Sequence, residues 1–323
     1  VIEARGLTKR YGGILAVDAL DCVIAPGTVT GLLGPNGAGK STFMRMIVGL
    51  DVPSGGSVTI GGRAFGQIPA PLREVGALLD ARAFDGALTA RAHLRWLARA
   101  GGLPACRVDE VLSEAGLASV ARRRVKGFSL GMSQRLGIAA ALLGDPAVLL
   151  FDEPANGLDP EGIRWIRVLM RRLAGEGRTV VVSSHLMSEM EGTADHVIVM
   201  GRGRVVAAGS VKELTRRGSA THVEVVSPRA GELAAQLTAA GAQVERAADA
   251  GQPVGAGRPA DHESAARSDS TLRVTGLSVE RVGEIALAAG IVLHTLVERA
   301  ATLEEAFMEI TRDSVQYRPE QAE

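Results

Sequence analysis

The sequence predicts an α/β domain over residues 1–218, with a helical subdomain, followed by a small ferredoxin-like α+β domain over 219–323. Three observations predict this. Short continuous apolar runs, VTGLLG (29–34), AVLLFD (147–152) and TVVVSS (179–184), recur between helical patterns. Strands that are apolar on both faces suit a parallel sheet covered by helices. Between Thr89 and Lys126 the strand signal stops and helical periodicity takes over. The last hundred residues then read β-α-β-β-α-β-α, the order of a split βαβ unit.

Each element has its local reason. VTGLLG runs into a glycine loop, and TFMRMIVGL continues as an amphipathic helix. ARAHLRWLARA and VDEVLSEAGL carry the 3.6-residue period, with GGLP (101–104) as the break between them. They predict a helical subdomain over about 89–140. In the last part THVEVV (221–226) is a strand, and GELAAQLTAAG a helix closed by glycine. AQVERA and TLRVTG (271–276) are strands, VERVGEIALAAG a helix and IVLHTLV a strand. TLEEAFMEIT is a final helix opened by a threonine cap. Residues 247–270 are small, polar and rich in Gly, Ala and Pro, which predicts a flexible loop without a core.

The chemistry begins at GPNGAGKS (34–41), which fits G-x-x-x-x-G-K-[ST] with a strand before it and a helix after it. Gly34, Gly37 and Gly39 let backbone N–H groups curl around the β- and γ-phosphates of a nucleotide. The helix N-terminus adds partial positive charge. Lys40 supplies a point charge, and Ser41 can bind Mg²⁺. In AVLLFDEP, Asp152 ends an apolar strand, where it can hold Mg²⁺ through water. Glu153 faces the other side of the chain and can take a proton from an attacking water. His185 ends TVVVSS on the side where ligands gather in open α/β sheets, a candidate γ-phosphate contact.

Bulk properties exclude other classes. Lysine plus arginine equal aspartate plus glutamate at 36 each, so no net charge favours nucleic acid as a partner. The two cysteines, Cys22 and Cys106, are far apart and read as reduced thiols. The six histidines show no metal-ligand spacing. Val1 to Arg10 lacks the apolar core of a signal peptide, and no run approaches the roughly 18 apolar residues of a membrane helix. The expectation is a chain in the cytoplasm that serves a membrane only through a partner.

Together the motifs resemble the ABC-type ATPases, a family of P-loop NTPases, over residues 1 to about 215, which implies a mixed sheet core with a helical subdomain. RYGG places Tyr11 where that family stacks an aromatic ring on adenine. GPNGAGKST is similar to the Walker A loop, formed by Gly34, Pro35, Asn36, Gly37, Ala38, Gly39, Lys40, Ser41 and Thr42. LLFDEP resembles Walker B plus the catalytic glutamate, NGLDP the D-loop with Asp159, and SSH the switch histidine. FSLGMSQR (128–135) falls at the family signature, LSGGQ followed after two or three residues by arginine. Ser129 and Gly131 align with its serine and second glycine, while Leu130 and Met132 depart from it. Counting back from LTARAHL, Asp80 stands where a Q-loop glutamine is usual; its carboxylate can still reach Mg²⁺ or water.

The resemblance implies ATP and Mg²⁺ as cofactors and a homodimer formed head to tail on ATP binding. The signature of one chain would close over the γ-phosphate held by the other. SLGM, GLDP and the TLEEAFMEIT tail are similar to ATPase subunits of bacterial exporters for antibiotics, lantibiotics and other drugs. That implies a separate transmembrane permease subunit and a peripheral place on the cytoplasmic face of the cell membrane. An importer ATPase differs only in the resemblance of signature and tail. A soluble non-transport ABC ATPase is disfavoured by a single Walker A motif, the absence of a heptad run and the neutral charge.

Overall fold

The computed structural model describes residues 1–218, 222–246, 271–299, 302–305 and 307. They divide into two compact units, the first Val1–Leu214 and the second Thr215–Glu309. In the first unit, β1 (Ile2–Tyr11), β2 (Ile14–Ile24), β3 (Val29–Leu33), β4 (Gly55–Ile60), β5 (Val75–Leu78) and β6 (Val148–Phe151) precede β7 (Thr179–Ser184), β8 (His196–Gly201) and β9 (Arg204–Ser210). The helices are α1 (Lys40–Ile47), α2 (Pro71–Glu74), α3 (Ala90–Ala100), α4 (Cys106–Glu114), α5 (Leu130–Leu142), α6 (Pro160–Gly175) and α7 (Met187–Glu191); α8 (Val211–Gly218) begins in this unit and ends in the second.

Six strands form the main sheet in the order β5-β6-β7-β3-β8-β9, parallel except for β9. Every residue of β3, β6 and β7 is buried, which is why their sequences are continuous apolar runs rather than alternating ones. A second, antiparallel sheet has the order β2-β1-β4. Helix α1 serves both sheets. Its Phe43, Met44 and Ile47 share one core with Leu7, Val17, Leu20 and Ile24 of the antiparallel sheet and with Leu32, Leu150, Val181 and Ile198 of the main sheet. The sequence reading missed the antiparallel sheet. Glu3, Arg5, Lys9 and Arg10 interrupt β1, and three register shifts in its pairing with β2 break the period-two signal.

The stretch with helical periodicity holds α3, α4 and α5. Thr89 caps α3, its Oγ1 accepting from the Ala92 N–H at 3.1 Å. Leu94, Val108, Val111, Leu112, Leu136 and Ile138 are buried. His93 is buried among them, edge-on to Phe84 with centroids 4.9 Å apart. Burial holds its imidazole below the ordinary value of 6.5, against a smaller opposing effect of Asp85. The unfolded imidazole therefore takes a proton more readily than the folded one, and stability falls as pH drops through and below 6.5. His93→Phe should lose less thermal stability than wild type between pH 7 and pH 5. Equal losses in scanning calorimetry would remove His93 as a source of acid sensitivity.

The second unit holds β10 (His222–Val226), α9 (Ala230–Ala239), β11 (Gln243–Arg246), β12 (Thr271–Thr275), α10 (Val279–Ala288) and β13 (Thr295–Arg299). The sheet order is β11-β12-β10-β13 with every neighbouring pair antiparallel, the split βαβ topology. Val223, Val225, Leu272 and Val274 of the sheet pack on Leu233, Leu237, Val282 and Ala286 of the helices. The strand expected over IVLHTLV begins only at Thr295. Upstream, the Ile291 N–H closes α10 on Ala286, and the Val292 carbonyl accepts from Ser227 Oγ. These groups are thus committed before a ladder can form. Thr302 opens a helical turn: its hydroxyl accepts from the Glu305 N–H, and the Glu305 carboxylate accepts from the Thr302 N–H. Apart from Phe307, the remainder of the predicted final helix lies outside the described residues, as does the predicted flexible loop over 247–270. Among the described residues no helix is long and apolar enough to cross a membrane.

Candidate nucleotide site

Strand order brings the candidate residues together. β6, β7 and β3 are neighbours and run parallel, with Phe151 beside Val182 and Leu33 beside Ser184. The glycine loop, the Asp152–Glu153 pair and His185 therefore leave the sheet at the same edge, the carboxyl ends of its strands.

The loop owes its path to missing side chains. Gly34 has φ +152°, and a Cβ there would lie 2.3 Å from the Met200 carbonyl oxygen. Gly39 has φ +101°, and its Cβ would lie 2.6 Å from the Ala16 carbonyl oxygen. At Gly34 and Gly39 the loop is thus pressed onto β8 and β2 with no room for a side chain. Pro35, Asn36 and Gly37 form an exposed rim and Ala38 is buried beneath them. Lys40 opens α1 with only 6% of its surface exposed. Its ammonium donates to the Gly34 carbonyl at 2.7 Å and the Pro35 carbonyl at 3.3 Å, and lies 4.0 Å from Glu153 Oε1. Burial lowers its pKa, opposed by the carboxylates of Glu153 and Asp152. Ser41 is exposed and Thr42 half-buried on the first turn of α1.

The carboxylates are held by groups that sequence reasoning missed. Ser183, fully buried on β7, donates its hydroxyl hydrogen to Asp152 Oδ1 and accepts from the Glu153 N–H at 2.9 Å. Gln134 of α5 donates to the Glu153 carbonyl at 3.3 Å. Glu153 needs this support because its φ is +48°, a left-handed conformation that costs a non-glycine residue about 1–3 kcal/mol. The turn swings its carboxylate toward His185, whose Nδ1 is 2.8 Å from Glu153 Oε2. Two serines closing the apolar run TVVVSS were the available signal for Ser183. Gln134 offered none, because its partner is backbone.

Of the other predicted residues, Ser129 is the N-cap of α5, its Oγ accepting from the Met132 N–H at 3.2 Å. Leu130 is exposed yet lies against Gly157, and Gly131 faces the Gly157 carbonyl. Among the described residues, no hydrogen bond or ion pair links Ser129 or Gly131 to Lys40, Glu153 or His185. Asp159 caps α6 by accepting from the Gly162 N–H at 2.8 Å. Asp80 is exposed just beyond β5 and accepts from the Arg82 N–H at 2.8 Å. Since β5 neighbours β6, Asp80 leaves the sheet at the same edge as Asp152. Tyr11 ends β1 with 43% of its surface exposed, and its hydroxyl donates to Asp51 Oδ2 at 2.7 Å.

A family model described as ABC transporter matches residues 17–156, and one described as a domain of unknown function (DUF8746) matches 256–304. The uncharacterized ABC transporter ATP-binding protein YhcH of Bacillus subtilis (strain 168) is 42% identical over 216 residues, covering 66% of this chain and 71% of that protein. This chain is an ABC transporter ATP-binding protein.

It is also 40% identical over 220 residues to the bacitracin transport ATP-binding protein BcrA of Enterococcus faecalis, covering 67% of this chain and 71% of that one. In three dimensions it is similar to the dimeric structure of MJ0796, a bacterial ABC transporter cassette. That match has TM-score 0.60 and 27% identity, and covers 65% of this chain and 98% of the cassette. As an ABC ATPase the chain binds and hydrolyses ATP.

Proposed function

We propose that this ABC ATPase energises an exporter of antibiotics, peptides or other drugs, through head-to-tail dimerisation of two copies on ATP. The observation that carries the mechanism is the constellation at the strand ends, with Glu153 2.8 Å from His185 and 4.0 Å from Lys40. The N–H groups of the loop from Gly34 to Thr42 bind the phosphates, and Lys40 supplies the point charge. Tyr11 stacks on adenine. Ser41 and Asp152 would hold Mg²⁺, a set that suits an ion usually bound by one or two carboxylates plus substrate phosphates. When bound, Mg²⁺ neutralises charge developing on the phosphate oxygens. Asp80, at the neighbouring strand end, would contact the ion or its water.

Glu153 orients the attacking water and accepts its proton, while His185 holds the γ-phosphate side of the site. The strained turn at Glu153, fastened by Ser183 and Gln134, aims the carboxylate before the nucleotide arrives. Ser129 and Gly131 of a second copy complete the site at the γ-phosphate, and Asp159 lies at that junction. The start of α5 offers the N–H groups and partial charge such an anion needs. A separate transmembrane permease receives the motion, which sets the chain peripherally on the cytoplasmic face of the membrane. The similarity to a bacitracin transport protein supports efflux as the direction.

Ser129→Arg tests the two-copy site. Nucleotide binding by the single chain should persist, while ATP-dependent dimerisation and turnover disappear. Losing the N-cap costs about 1 kcal/mol, so Ser129→Ala is the folding control. A Ser129→Arg protein that still dimerised and hydrolysed ATP would break this reading of FSLGMSQR.

A further inference from the structure

Tyr11 is tied down more firmly than an exposed surface tyrosine requires. Its hydroxyl donates to Asp51 Oδ2 at 2.7 Å, and the same oxygen accepts from Arg45 Nε at 2.7 Å. Arg45 stands on α1, one turn beyond Ser41. Lys9 covers one face of the ring, its ammonium 4.9 Å from the centroid and anchored on the Val52 carbonyl at 2.7 Å. The Asp51 side chain is only 13% exposed, against 47% for Arg45. Asp51 lies below the usual carboxylate range, mainly through the Arg45 and Tyr11 hydrogen bonds, and Lys9 adds to this. The ring thus has its edge bonded and one face occupied, yet keeps 43% of its surface open.

We infer that Asp51 is a positioning residue for the nucleotide base: by joining Tyr11 of β1 to Arg45 of α1, it sets the spacing between the adenine platform and the phosphate loop. This rests on the reading of Tyr11 as that platform. The physical gain is preorganisation. A free tyrosine loses rotamer freedom when a base stacks on it, whereas a tethered ring has lost it already. Arg45 and Lys9 balance the Asp51 charge, so the tether adds no net repulsion toward the triphosphate. Asp51 sits in an ordinary-looking stretch, GLDVPSGG, and nothing local marks it.

The test compares Mg²⁺-dependent binding of ATP and of inorganic tripolyphosphate, which has no base, by titration calorimetry. Asp51→Ala and Tyr11→Phe should each weaken ATP by roughly 3–10-fold, the effect of removing one hydrogen bond. Tripolyphosphate affinity should not change. The double variant should be no weaker than the worse single one, Asp51→Asn should recover part of the loss, and in Asp51→Ala the change should fall on KM rather than kcat. Tyr11→Phe leaves the Asp51–Arg45 pair intact and carries the test if Asp51→Ala folds poorly. If Tyr11→Ala loses ATP affinity while Asp51→Ala and Tyr11→Phe bind like wild type, Tyr11 is the platform but the tether is idle, and the inference alone fails. If Tyr11→Ala binds ATP like wild type, the platform reading fails and the inference with it. Equal weakening of tripolyphosphate would make Asp51 a structural support of α1 and overturn its role toward the base.

Discussion

Glu153→Gln should slow steady-state ATP turnover by roughly 10²–10⁴ while MgATP binding persists. The amide keeps the size and most of the hydrogen bonding of the carboxylate, so the turn held by Ser183 and Gln134 should survive. What it loses is the ability to accept a proton from water. Its attraction to Lys40, 4.0 Å away, also falls to that of a dipole. ATP should then remain between two copies, and the variant should pass from monomer to dimer only when MgATP is added. Light scattering coupled to size exclusion measures this directly. Normal turnover would remove Glu153 from the role of base. A monomer with ATP bound would mean that the isolated chain does not build the two-copy site.

Lys40→Met should cost at least about 10-fold in ATP affinity, and up to about 10²-fold for each charge-assisted hydrogen bond that the ammonium makes to phosphate. The thioether keeps most of the stem's volume, so the loss should fall on binding rather than on folding. A second expectation follows from burial. The ammonium is desolvated, and its pKa lies below the ordinary 10.5 despite the neighbouring carboxylates. The unfolded chain therefore holds this proton more tightly than the folded one. Lys40 depresses stability below its folded pKa, and that penalty fades as pH rises toward 10.5. Lys40→Met should accordingly be more stable than wild type near neutrality, with an advantage that shrinks in alkaline solution. Urea midpoints at several pH values would show it. A variant less stable than wild type at neutral pH would mean that the hydrogen bonds to Gly34 and Pro35 outweigh the desolvation.

Much of the fold was legible because its signals are local or two-faced. VTGLLG, AVLLFD and TVVVSS read as buried strands since both of their faces are covered, and the helical block announced itself by its period. The antiparallel sheet was not legible, since its charged, bulged strands obtain their burial from α1 and the main sheet rather than from their own alternation. IVLHTLV shows the opposite failure. Its β-branched residues favour a strand, but the Ile291 N–H goes to the Ala286 carbonyl and the Val292 carbonyl to Ser227 Oγ before a ladder can form.

The site divides along the same line. The phosphate loop is determined by the sequence itself, because its glycines, its lysine and the strand and helix around it act within a few residues of one another. The sequence also determines that two carboxylates and a histidine end buried strands. Only the tertiary structure decides that these strand ends are neighbours, through a sheet order that places β3 beside β7 instead of following the chain. It alone recruits Ser183 to both carboxylates' strand end, Gln134 to the strained turn, and Asp51 to Tyr11. A backbone conformation can be written into adjacent residues. A hydrogen bond between distant segments exists only once packing has chosen which groups lose their water.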